Sequence, residues 1–387
     1  MKMTSRERVR CALNHKEPDR VPIFFGSSGA TTIHAAGYEK LKRALGFNLP
    51  TQPMSQFTKY AIHARVDRQI MDTFGSDGIP LTAKTAPPSS LSRDISENAF
   101  VDEWGVRWEL EPSGLYYSPP YQGMPLANAT IKDIETYPWP DVTHPRQYEG
   151  LEQDAKNLYE NTSYALVGNI GTTLCELIYN MRGMENWMMD LVANQDFAHA
   201  LLRKITDLRI AAIKAFLDRV GAWVDVFIMG DDMGSQHSPL ISPALYRTLI
   251  QPYHKEIIAA VKAHSSAKVF FHSDGDIYPL IPDFIEAGVD LLNPVQVSAA
   301  EMGDTARLKR EFGKNLSFCG AIDTQWVLPY GTPDDVRKEV RRRIRDLAPG
   351  GGYICASVHC IQPDVPVENI IALFEEVKIS GKYPLAL

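Results

Sequence analysis

The feature that most constrains this chain is a rhythm that sets in after residue 145. Short apolar runs recur at Ala165–Gly168, Val224–Ile228, Val269–Phe271, Leu291–Leu292, Leu316–Phe318 and Gly352–Cys355, separated by longer amphipathic stretches such as Ser242–His264 and Pro333–Leu347. Runs this short, bounded by Gly and polar residues, read as strands buried on both faces, and the stretches between them carry the spacing of helices. Strand alternating with helix demands a parallel sheet with right-handed crossovers. Two earlier candidates, Val21–Phe25 and Gly75–Leu81, bring the count to that of a (β/α)8 TIM barrel. A doubly wound open sheet is the alternative, but no GxGxxG or GxxxxGK[ST] loop follows any of the runs.

The earlier part of the chain is less regular. Thr4-Ser-Arg-Glu7 is a capping signal, and Val9 and Leu13 give it an apolar face, so a short helix is predicted over Thr4–Asn14, ended by Pro18 and Pro22. Helical spacing returns over Tyr38–Leu45 and Ala64–Phe74. Between Phe100 and Pro140 aromatic residues alternate with polar ones (Trp104, Trp108, Tyr116, Tyr117, Tyr121, Tyr137, Trp139), and the prolines there argue against helix. The expectation is a half-buried aromatic hairpin, inserted over about residues 95–145 as a cap on one end of a single domain spanning 1–387.

At 387 residues and 44% hydrophobic content the chain can bury a large core. Its formal net charge of -7 argues against a general attraction for nucleic acid or an anionic membrane. The cysteines Cys11, Cys175, Cys319, Cys355 and Cys360 are sparse, irregular and odd in number, which speaks for a reducing cytoplasm rather than a disulfide framework. No stretch approaches the apolar length of a membrane span, and the start has no apolar signal core, so a soluble, unprocessed protein is expected.

In a barrel the active site lies at the carboxyl ends of the strands. Here those ends open on residues 168–173 (GNIGTT, with Thr172), 230–236 (GDDMGSQ), 272–276 (HSDGD), 293–296 (NPVQ), 319–323 (CGAID) and 357–362 (SVHCIQ). Turn chemistry alone enriches Gly, Asn and Asp, but it does not explain the His and Cys. Asp231, Asp232, Asp274, His359 and Cys360 offer hard, borderline and soft donors, and with His272 they suit a zinc ion with one open position. The strand-end amides Asn169, Gln236, Asn293 and Gln362 are expected to contact substrate.

The chain resembles the uroporphyrinogen decarboxylase superfamily, which includes tetrapyrrole decarboxylases and zinc-dependent methyltransferases that serve corrinoid proteins. The matching residues are Arg6–His15 with Pro18–Pro22, GDDMGSQ at 230–236 with Ile241–Pro243, HSDGD at 272–276, GVDLLNPVQ at 288–296 and HCIQPDVPVENI at 359–370. The resemblance implies a (β/α)8 barrel. True decarboxylases carry an Arg-rich segment after the first strand to hold the substrate's carboxylates; here Phe24–Ala30 has no Arg. The methyltransferase branch binds zinc through a His-x-Cys after the fifth strand and a Cys in the last loop. This chain has His272-Ser-Asp274 in the first place and His359-Cys360 in the second, so one thiolate is replaced by a carboxylate. A harder site favours an oxygen leaving group.

The function so implied is transfer of a methyl group from a small, methoxylated compound to a separate corrinoid (cobalamin) protein. Zinc would sit on His272, Asp274 and Cys360, with His359 as the alternative third donor, and Asp231, Asp232 and His359 would be the catalytic groups. A homodimer is compatible with the sequence. The competing readings are a metal-free decarboxylase, in which Asp231 or Asp232 stabilises a protonated ring, and a barrel that binds a tetrapyrrole or corrinoid protein without catalysis.

Overall fold

The computed structural model describes residues 3–54, 62–84, 87–120, 122–171 and 173–386; Tyr121 and Thr172 lie outside them. Seven parallel strands form one sheet, in spatial order Gly78–Thr82, Ala165–Asn169, Val226–Gly230, Lys268–His272, Leu291–Asn293, Ser317–Ile322 and Tyr353–Ser357. Residues 21–25 fill the eighth position between its two edges. On one side Phe24 N–H donates to Cys355 O (3.0 Å) and Cys355 N–H to Pro22 O (2.9 Å); on the other Asp77 N–H donates to Ile23 O (2.7 Å). The sheet is thereby closed into an α/β barrel.

A buried ionic knot fixes that closure. The Asp77 carboxylate takes Arg8 Nη1 (2.6 Å), Arg20 Nη1 (2.8 Å) and the Ile23 amide (2.8 Å), so its charge is matched and its lone pairs are used. Arg8 lies on the Ser5–Leu13 helix, which begins at the predicted capping box of Thr4 and Glu7. Val9 and Leu13 of this helix join Phe24, Ala165, Val167, Val226, Ile228, Phe270, Leu291, Cys319, Ile354 and Ala356 in one apolar cluster. Those strand residues are the inward-facing alternates, so the first helix plugs the barrel. The outward alternates Leu166, Phe227, Phe271, Leu292, Phe318 and Cys355 belong to the larger core under the surrounding helices.

Three expectations need correction. The helix expected over Ala64–Phe74 spans only Arg68–Phe74: His63–Arg65 is a strand, paired with Ile33–His34 and Gln52–Pro53, and the helix begins after Asp67. The stretch Ser242–His264 is not one regular helix. Pro252 has no amide proton, and a π-turn at Tyr246–Ile250 precedes the Gln251–His264 helix. In place of one aromatic hairpin, Arg93–Ser96, Ala99–Val101, Arg107–Leu110 and Tyr117–Ser118 form a four-stranded antiparallel sheet. Among the described residues no helix is long and apolar enough to cross a membrane.

Candidate functional site

Strand register brings the site together. Gly230 pairs with His272, and His272 with Asn293, so three neighbouring strands end at one level. A side chain at Gly230 would collide with His272, because a Cβ there would lie 2.4 Å from His272 O. The loop after each strand then packs backbone to backbone with its neighbour. Gly275, at φ +89, has Gly234 C at 2.3 Å from where a Cβ would sit.

His272 is held in one tautomer. Its Nδ1–H donates to Asn293 Oδ1 at 2.7 Å, since the amide oxygen can only accept, and this leaves Nε2 as a lone-pair donor. Nε2 lies 3.8 Å from Asp274 Oδ2 and 3.9 Å from Asp232 Oδ1. These separations are too long for hydrogen bonds, and the first is about half an ångström longer than the roughly 3.3 Å between two donors that each stand about 2 Å from one tetrahedral ion. The His359 ring is 5.5 Å from that of His272, centroid to centroid. One donor atom each from His272, Asp274 and His359 all lie within 4.8 Å of one another. Asp274 Oδ1 is buried without a hydrogen-bond partner among the described residues. Two imidazoles and an unsatisfied carboxylate suit a borderline divalent ion such as zinc.

Cys360 is not part of this set. Its thiol is buried against Ile361 O (3.8 Å), and burial pushes its pKa up, away from the thiolate a metal needs. His359 and Cys360 lie in the bend that follows the Tyr353–Ser357 strand, and of the two only His359 lines the cavity. The structure turns His359 to it.

Asp231 and Asp232 also part company. Asp231 is 2% exposed and does not line the cavity. Its carboxylate accepts the amides of Leu174 and Glu176 (2.9 Å each) at the start of the Cys175–Arg182 helix, and meets His254 Nε2 at 2.8 Å. It is a capping and packing group rather than the expected catalytic one. Asp232 stays at the mouth, where its Oδ1 accepts the Asp274 amide (2.9 Å).

Of the four amides expected to touch substrate, only Asn169 lines the cavity, with Oδ1 also accepting the Gly171 amide. Asn293 is fully buried behind His272 and acts on that ring. Gln236 points to solvent, and it is Gln296 that caps the Gly275 amide (2.6 Å). Gln362 donates to Cys360 O (3.0 Å) and bounds no part of the cavity.

The cavity above these groups encloses about 460 Å³. Trp104, Trp108, Tyr116, Tyr117 and Tyr148 line it, alongside Glu176, Arg209, His63, His272 and His359. Glu176 is open to the cavity yet enclosed by protein. Burial, then the charges of Asp232 and Asp231, push its pKa up to about 7 against the pull of His272 and Arg209. Burial lowers Arg209 to about 10, opposed by Asp231, Glu103 and Glu176; its Nε–H donates to Thr173 O (2.7 Å) and its guanidinium lies 5.0 Å from the Trp104 ring. Burial opposes a charge on His272 as well, but Asp274, Asp232 and the Asn293 bond outweigh it, and the pKa is raised. In His359 burial prevails and the pKa is lowered. In His63 burial, followed by the nearby His359 and His34, lowers it to about 3.

Known proteins are similar to this chain in sequence or in fold. The uroporphyrinogen decarboxylase of Chlorobaculum tepidum is 26% identical over 289 residues, covering 71% of this chain and 75% of that enzyme. That of Coxiella burnetii is 26% identical over 192 residues, 49% of each, so the chain spans about half the length of the Coxiella relatives it matches. A solved structure, a methyltransferase from Methanosarcina mazei, superposes with a TM-score of 0.68 at 17% identity, covering 97% of this chain and 99% of its own; this is a likeness of fold. The family described as uroporphyrinogen decarboxylase (URO-D) matches residues 48–379, and with that match over most of its length the chain belongs to the uroporphyrinogen decarboxylase family.

Proposed function

We propose that this protein is a methyltransferase, taking the methyl group of a small neutral methyl ether held in the cavity to the cobalt of a separate corrinoid protein. The observation that carries this reading is the convergence of His272, Asp274 and His359, with the buried Asp274 Oδ1 unpartnered among the described residues, at one mouth of an aromatic cavity. A zinc ion bound by these three would supply a Lewis acid that draws electrons from the donor's oxygen and weakens its bond to methyl. Asn293 keeps His272 Nε2 aimed at the mouth, and Asp232 ties down the loop that carries Asp274. The aromatic wall holds the donor and excludes water. Glu176, half protonated near neutral pH, holds a proton on its carboxyl and gives it to the departing oxygen as the methyl group leaves. The Methanosarcina structure that covers nearly the whole chain is itself named a methyltransferase, in agreement with this reading.

Decarboxylation of a polycarboxylate is the second reading, favoured by the names of the sequence relatives. The charges in the wall oppose it. Asp102, Glu103 and Glu176 stand there against Lys84 and Arg209, and Arg209 already has carboxylates around it. The deciding experiment is elemental analysis of tag-free protein after zinc incubation, together with methyl transfer from 2-methoxyphenol to free cob(I)alamin, followed by absorbance. About one zinc per chain in the wild type and in Cys360→Ala, lost in Asp274→Ala and His359→Ala, is the expected result. A wild type without stoichiometric zinc would overturn the methyltransferase reading and bring the decarboxylase forward.

A further inference from the structure

His63 is a buried polar side chain that no hydrogen bond from the described residues ties into the fold. It lies in the short strand His63–Arg65, is only 8% exposed, and faces the cavity that His272 and His359 also line. Neither of its ring nitrogens has a hydrogen-bond partner among the described residues. It is also outside the group formed by His272, Asp274 and His359. A buried imidazole left unsatisfied on both nitrogens costs stability, and such a cost persists where a ligand removes it.

The chemistry of that ligand follows from what surrounds the ring. A neutral imidazole offers one N–H donor and one acceptor nitrogen, and a hydroxyl group is the small partner that can answer either. A carboxylate could only accept, and it would face Asp102, Glu103 and Glu176 in the same wall. The rings of Trp108, Tyr116 and Tyr148 favour a flat, uncharged body.

We propose that His63 orients the bound methyl donor by a hydrogen bond to a hydroxyl group on it, so that hydroxylated methyl ethers are selected over plain ethers and over carboxylates. This rests on the cavity being the methyl-donor site. It makes His63 a specificity-determining residue, distinct from the metal donors.

Calorimetry on the full, zinc-loaded chain tests it with three probes: 2-methoxyphenol, methoxybenzene and 2-methoxybenzoate. The wild type is expected to bind the phenol roughly tenfold more tightly than the plain ether, the worth of one good hydrogen bond. His63→Phe should erase that preference, keep the affinity for methoxybenzene, and melt no lower than the wild type, because it removes an unsatisfied group. His63→Leu makes the same test should the larger ring crowd the cavity, and His63→Gln should keep part of the preference. Equal affinities in the wild type, binding of neither ether, tightest binding of the benzoate, or a preference that survives in both apolar variants would each overturn the assignment. Binding is read without turnover, so a His63-dependent preference in a protein that moves no methyl group to cob(I)alamin would sink the methyltransferase reading and leave only the hydrogen bond from His63 to the ligand's hydroxyl group.

Discussion

Two clusters of nearly the same composition lie close together in this barrel, and they do opposite things. Cys175, Asp231 and His254 are all buried and have donor atoms near enough to share an ion, as do His272, Asp274 and His359. In the first cluster the carboxylate and the imidazole are already used. Asp231 accepts two helix amides and meets His254 Nε2, while His254 Nδ1 meets the Tyr246 hydroxyl at 3.0 Å. In the second cluster, among the described residues, His272 Nε2 has no partner at hydrogen-bond distance and Asp274 Oδ1 has no partner. Donor type alone does not separate a structural knot from a site. Saturation does, because a group whose lone pairs are spent on the fold has none to offer a ligand.

The sharpest way to break this comparison is to remove one donor from each cluster. Asp274→Ala and His359→Ala should each lower methyl transfer on the order of 10³-fold, since the Lewis acid accounts for several kcal/mol of transition-state stabilisation. The unfolding free energy of Asp274→Ala should stay within about 1 kcal/mol of the wild type, as no described residue hydrogen-bonds to Asp274 Oδ1. Asp231→Ala should do the reverse, costing about 3–5 kcal/mol in denaturant unfolding because it strands His254 and uncaps the Cys175–Arg182 helix. If Asp231→Ala folds normally and loses zinc, the two clusters have been read the wrong way round.

A smaller effect comes from behind the open cluster. Asn293→Ala removes the acceptor that fixes the His272 tautomer, without touching a donor atom. Zinc affinity, measured by competition with a chromophoric chelator, should fall about 10–100-fold while the site still fills at high zinc. Affinity unchanged in this variant would mean that Asn293 serves packing alone.

The difference between the clusters was only partly legible in the sequence. The barrel was, because each strand is an apolar run with Gly and polar residues at its ends, and buried parallel strands leave that mark. His272 and Asp274 stood out for the same reason, as chemistry placed directly after a buried run. His359 and Cys360 could not be separated, since adjacent residues face opposite ways and the direction in which a loop leaves its strand is a tertiary property. Asp231 looked like Asp232 because its partners, Leu174 and His254, are far away in the chain. Two further signals are present in the sequence. Arg209 falls on the buried face marked by Ile205, Ala212, Ile213 and Phe216 of the Gln195–Val220 helix, where a charge needs a reason. Glu176 follows the polar tail of the Ala165–Asn169 strand by one helical turn. His63 leaves no signal, because it stands just before the helical spacing of Ala64–Phe74 and nothing in the sequence marks it as part of a strand facing a cavity.

Glu176 joins the two clusters and gives the smallest and most specific test. Its amide donates to Asp231, while its carboxyl lies in the cavity within reach of the charges on Asp232 and His272. Burial and those carboxylates raise its pKa from the ordinary 4.5 to about 7. Between these two values the folded chain therefore holds a proton that the unfolded chain has released. The sign follows from linkage: where the folded state binds more protons, stability falls as pH rises. The contribution of Glu176 is thus full below pH 4.5, declines through the window, and is gone once pH exceeds about 7. Glu176→Gln should remove this decline, so the difference in unfolding free energy between variant and wild type should move in the variant's favour as pH is raised from 4.5 to 7 and be level on either side. Methyl transfer should show the same group from the other direction, with an alkaline limb near neutral pH that the variant lacks. A stability difference that is flat across the window would place the Glu176 carboxyl in contact with solvent, outside the field of both clusters, and would remove it from the proton transfer proposed for the site.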